Sequence, residues 1–133
     1  MSKKAWQLAT MGKTESLQKI WEWAKAEQST EELNNEFLLA KDDRKMTAWH
    51  MAADCGNIES LQKIWVWAKQ ELTADELKNR LLLAKDNRER TAFEVAAENG
   101  NTKVLEILRQ WAVEELTPEE LNNISCLSTH LNN

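Results

Sequence analysis

The sequence predicts an all-α chain, a helical solenoid of three repeats, each with an extra short third helix. Three observations carry that expectation. The chain copies itself at an offset of 44 residues: Thr47 and Thr91, Gly56 and Gly100, Leu61 and Leu105, Trp67 and Trp111, with LLAKD at both 38–42 and 82–86. Within the copies, apolar residues recur at helical spacing. Only three Gly and one Pro occur among 133 residues, too few for a turn-rich β-sandwich. Self-similarity at a fixed period marks units that bury their apolar faces by stacking on one another.

Each unit reads as three helices. Helix A is TAWHMAAD, closed by Gly56, with TAFEVAAE closed by Gly100 in the next unit, since glycine accepts the left-handed turn that ends a helix. Helix B follows as NIESLQKIWVWAK, where Leu61, Ile64, Trp65 and Ala68 form one apolar stripe that Trp67 widens. Helix C opens on a capping box in all three units: Ser29 to Glu32, Thr73 to Glu76 and Thr117 to Glu120, with Pro118 in the first-turn position it tolerates. These acids therefore serve helix N-termini rather than catalysis. A charged loop, KDDRKM at 41–46 or KDNRER at 85–90, leads into the next helix A.

The residues of this unit, Asp42…Thr47-Ala48-Trp49-His50-Met51-Ala52-Ala53…Gly56 and then Leu61 and Ile64, resemble the ankyrin repeat. The following unit carries the resemblance through Asp86, Thr91, Ala92, Phe93, Ala96, Ala97, Gly100, Val104 and Leu108; the first carries it through Ala9, Gly12 and Leu17. Three departures stand out. The unit exceeds the usual length of about 33 residues, the Pro after Thr has become Ala48 and Ala92, and the finger-loop Gly has become Lys45 and Glu89. At that last position a residue with a Cβ must either take a costly positive φ or adopt another turn.

The resemblance implies one domain over 1–133, with units at about 1–40, 41–84 and 85–127 and a polar tail at 128–133. Comparison of columns gives a packing expectation. Trp21 and Trp65 share a column that ends in Arg109, so this column should pack on the following unit, and Arg109 should mark a unit with nothing stacked on it. A terminal repeat needs a polar outer face, and FLLA and LLLA give way to SCLS at 125–128. The tryptophans are thus expected in the core rather than in a ligand cage, together with Trp49 and Phe93.

Catalysis finds little support. There is no nucleophile elbow, HExxH, P-loop or metal-spaced Cys/His cluster. Thr47 and His50 could be imagined as nucleophile and base. However, the third unit puts Glu94 in the histidine column, and the resemblance implies a structural tie between neighbouring fingers. The expectation is a non-enzyme without metal or cofactor. Cys55 and Cys126 are read as reduced thiols of a cytoplasmic protein, Cys55 partly buried beside Asp54. A net charge of −5 argues against nucleic-acid binding through a general positive field, and no apolar run is long enough for a membrane span.

What the resemblance implies instead is binding to another protein; a monomer is expected over an oligomer, with pairing through an incompletely capped end left open. By position, the contact residues would be Asp43, Arg44, Lys45 and Met46 on the first finger and Asn87, Arg88, Glu89 and Arg90 on the second. Met51, Asp54 and Cys55, then Val95, Glu98 and Asn99, would follow on helix A. Each charged loop sums to +1, so Arg44, Lys45, Arg88 and Arg90 would face an acidic partner. Two alternatives remain open beside this reading: an engineered scaffold, or a structural fragment of a longer array.

Overall fold

The computed structural model describes residues 14–122, and over these the chain is all-α, with no strand. Eight helices follow in order: α1 Thr14–Glu27, α2 Thr30–Leu33, α3 Ala48–Cys55, α4 Ile58–Glu71, α5 Ala74–Glu76, α6 Ala92–Glu98, α7 Thr102–Glu115 and α8 Pro118–Asn122. The offset of 44 seen in the sequence reappears in the structure, because α1, α4 and α7 start at 14, 58 and 102 and all run for 14 residues. Ala9 and Gly12 of the first copy, and the tail with SCLS and His130, lie outside the described residues.

Local chemistry explains the helix limits. Thr47 and Thr91 cap α3 and α6, and Asn57 and Asn101 cap α4 and α7 through their side-chain oxygens. In the capping boxes of α2, α5 and α8 the hydroxyl accepts at 3.2 Å from Glu32, Glu76 and Glu120 N–H, and each glutamate accepts in return from the cap amide. Such a cap is worth about 1 kcal/mol. Gly56, at φ 70°, closes α3, and a Cβ there would collide with the Asn101 amide that caps α7.

The expected third helix takes a form that periodicity does not reveal. After one turn, α2 and α5 widen into π-helical segments, Asn34–Leu38 and Leu77–Leu82, with Leu39 N–H bonded to Asn34 O and Leu83 N–H to Lys78 O. Phe37, Leu38, Leu39 and Ala40 are all buried. Leu39 and Ala40 lie past the end of the π segment, so the chain buries these four consecutive residues by leaving helical geometry after Leu38.

The helices pack in a regular order: α3 on α6, α3 on α4, α6 on α7 and α1 on α4. As expected, Leu61, Ile64, Trp65 and Ala68 face inward, and Trp49 and Phe93 are wholly buried. The tryptophan columns interlock across the period. Trp21 stacks on Trp67 at 4.7 Å and Trp65 on Trp111 at 5.1 Å, both within 10° of parallel, and Trp49 leans on Trp65 and Trp111 at 5.7 Å. The Trp21/Trp65 column therefore does pack on the following unit. Lys25–Glu71 and Lys69–Glu115 repeat the same step as ion pairs of 3.6 and 3.7 Å.

Candidate functional site

Two charged loops, at 41–46 and 85–90, share one hydrogen-bond design. Asp42 Oδ1 accepts from Arg44 and Met46 N–H at 2.9 Å, and Asp86 Oδ1 accepts from Arg88 and Arg90 N–H at the same distance. Asp42 N–H donates to Met46 O and Asp86 N–H to Arg90 O. Both loops turn through a residue in the left-handed region, Lys45 and Glu89, each at φ 61°. The turn is thus kept at the strained torsion rather than replaced, at a cost of about 1–2 kcal/mol per residue.

The loops are tied to each other. Asn87 N–H donates to Arg44 O at 2.8 Å, and His50 Nε2 lies 3.1 Å from Arg90 O. A carbonyl can only accept, so Nε2 carries the proton and Nδ1 is the acceptor, taking the Thr47 hydroxyl at 2.9 Å. His50 is completely buried, and this burial lowers its pKa despite the Arg90 carbonyl and the Asp86 carboxylate, which favour the cation. Thr47 and His50 form a neutral structural tie, and the hydroxyl is already committed to the imidazole and to His50 N–H. In the next unit Glu94 occupies the same place and reaches back to Thr91 N–H and Oγ1.

Of the fourteen positions expected on a contact surface, the structure leaves Asp43, Arg44, Lys45, Asn87, Arg88, Glu89, Asp54, Cys55, Glu98 and Asn99 exposed. Three are corrected: Met46, Met51 and Val95 are buried, at 1%, 5% and 0% exposure. Met46 is drawn in because its amide closes the Asp42 turn, and Met51 and Val95 lie on α3 and α6, which pack against each other. Arg90 is a fourth correction, since its charge is not free. Its guanidinium contacts Asp86 Oδ2 at 2.9 Å and Glu98 Oε2 at 2.6 Å, and its side chain is 19% exposed.

Burial alone would raise the Asp86 carboxyl, but the Arg90 and Arg88 amides and the Arg90 guanidinium outweigh it and hold the group below its ordinary range. Cys55 bears a free thiol and is exposed rather than partly buried; residual burial of its sulfur and the Asp54 charge push its pKa up. Asn99 Nδ2 donates to Asp54 O and Oδ1, at 3.1 and 2.7 Å, so two of the exposed helix-end positions are already coupled.

A groove of about 450 Å³ runs from these loops to the second π-helical segment. Lys41, Lys45, Arg80 and Lys85 line it, with Glu89 and the clamped Asp86, over Leu39, Leu83 and Ala84. Lys41, Arg80 and Lys85 were not among the expected contact residues. Their signal in the sequence is only that lysine precedes both loop aspartates; Arg80 lies five residues before Lys85 in sequence and comes to the groove through the π turn. Among the described residues no group of three or more His, Cys, Asp or Glu could hold a metal ion, and no helix is long and apolar enough to cross a membrane. Comparison with protein-family models, curated proteins and solved structures finds no match to this chain.

Proposed function

We propose that this chain is an ankyrin-type solenoid of three extended repeats, which binds another protein without catalysis. The contact face comprises the charged loops and the exposed ends of α3 and α6. One observation carries the reading: two like loops are pinned to each other through Asn87 N–H and His50, while Asp43, Arg44, Lys45, Asn87, Arg88 and Glu89 remain exposed on them. A surface held in shape before contact loses less conformational freedom on binding. The equal spacing of α1, α4 and α7 and the tryptophan stacks across that spacing support the solenoid part of the proposal. An exposed free thiol at Cys55 fits a reducing, intracellular setting.

The test is retention of partners from a host extract on the immobilised chain, read by mass spectrometry and repeated with purified components. A partner held by the wild type and lost with Arg44→Glu/Arg88→Glu is the expected result. Retention that is indifferent both to that variant and to Asp54→Lys/Glu98→Lys, or no specific retention at all, would overturn the reading.

A further inference from the structure

We infer that the groove between the two charged loops and the second π-helical segment is a binding site for an acidic peptide segment of the partner. The inference rests on the protein-binding reading above and gives the partner a chemistry. In a chain of net charge −5, this groove gathers four cations, Lys41, Lys45, Arg80 and Lys85. Of its two carboxylates, Asp86 already accepts two loop amides and the Arg90 guanidinium. Arg80 is held only loosely, 3.8 Å from Glu76. The volume of about 450 Å³ suits a few side chains rather than a whole domain face.

Backbone strain points to the same place independently. The non-glycine residues at positive φ among those described are Lys45 and Glu89, and both line this groove. Glycine would relieve the strain but would remove the side chains. For Lys45 this strain supports a task for the cation that faces the groove; Glu89, a carboxylate, lends the acidic-peptide assignment no such support.

A peptide fits better than a nucleic acid. The net charge of −5 and Glu89 oppose every anionic ligand, and they oppose most a strand with a charge on every residue, which cannot place a neutral residue beside Glu89. Half-buried Leu83, beside the buried Leu39 and Ala84, instead offers a small apolar contact for one apolar side chain between acidic ones. A peptide can match this mixture residue by residue.

The experiment is fluorescence anisotropy with a labelled Glu-Glu-Leu repeat peptide, with a labelled oligothymidylate of similar charge as comparison, at low and high salt. The peptide is expected to bind, more weakly as salt rises, and Lys45→Glu/Arg80→Glu should weaken it roughly tenfold or more. Lys41→Glu/Lys85→Glu should do likewise and serves if the first pair fails to fold, as judged by circular dichroism. Lys103→Glu, an exposed cation on α7 that does not line the groove, should leave peptide affinity unchanged within about twofold. Absence of peptide binding, indifference to the groove substitutions, or equally tight oligothymidylate binding would overturn the assignment. If the peptide fails while a host partner is still retained through Arg44 and Arg88, the groove assignment falls and the protein-binding reading stands. If retention is lost as well, both fall.

Discussion

Replacing His50 tests how the loops are tied together, and the structure sets the expected size of the effect. In His50→Ala the bond to Arg90 O is lost, which removes about 1 kcal/mol for a buried neutral pair. The Thr47 hydroxyl, fully buried, loses its acceptor at a further cost of about 1–2 kcal/mol. Arg90 O keeps its bond from Asp86 N–H, so no orphaned carbonyl adds to the total. With the void left by the imidazole, His50→Ala should destabilise by about 3–4 kcal/mol. His50→Gln can still reach back to the Thr47 amide, as Glu94 does to Thr91, and should lose only about 1 kcal/mol.

The pH dependence follows from the lowered pKa of His50. Above about pH 6.5 both folded and unfolded forms are neutral, and the histidine adds no dependence. As pH falls below that value the unfolded chain takes up a proton that the buried imidazole refuses. Wild-type stability should then drop relative to His50→Gln by up to about 1.4 kcal/mol per pH unit, until the lower folded-state pKa is reached. Urea unfolding of wild type, His50→Gln and His50→Ala between about pH 5 and pH 8 measures both quantities, and groups common to all three cancel. Parallel pH profiles for wild type and His50→Gln, or a loss below about 1 kcal/mol in His50→Ala at neutral pH, would refute the buried neutral tie.

Two further outcomes can be checked by the same unfolding measurements. A double-mutant cycle on Trp65→Phe and Trp111→Phe should show a coupling of about 1 kcal/mol, from the parallel stack at 5.1 Å; additive effects would show that the rings pack without specific contact. Lys45→Gly and Glu89→Gly should each stabilise the fold by roughly 0.5 kcal/mol, the strain relieved less the entropy glycine loses on folding. Lys45→Gly should at the same time weaken the acidic peptide, so that stability and binding move in opposite directions.

Much of this protein was legible in one dimension, because local chemistry and period leave marks that need no partner. The hydroxyl-to-glutamate spacing of Ser29, Thr73 and Thr117 announced its helix starts, and the stripe Leu61, Ile64, Trp65 and Ala68 announced its buried face. Column comparison even anticipated that Trp21 and Trp65 would meet the following unit. Surface positions were read less well. Alternation along a loop does not tell which side chain its turn will draw inward, and so Met46 was misplaced. Nor does a loop's own sequence contain the second carboxylate that holds Arg90, since Glu98 arrives from α6.

The sequence by itself determined the helical units, their caps and the period of 44 residues, since each depends on residues a few positions apart or on simple recurrence. The tertiary structure alone decided three other matters. It set the widening of α2 and α5 into π segments, the choice of a strained turn at Lys45 and Glu89, and the meeting of Lys41, Lys45, Arg80 and Lys85 in one groove. The groove joins side chains from segments separated in the chain, and the π segments and strained turns are backbone geometries whose hydrogen bonds no residue spacing distinguishes from the α-helix and the relaxed turn.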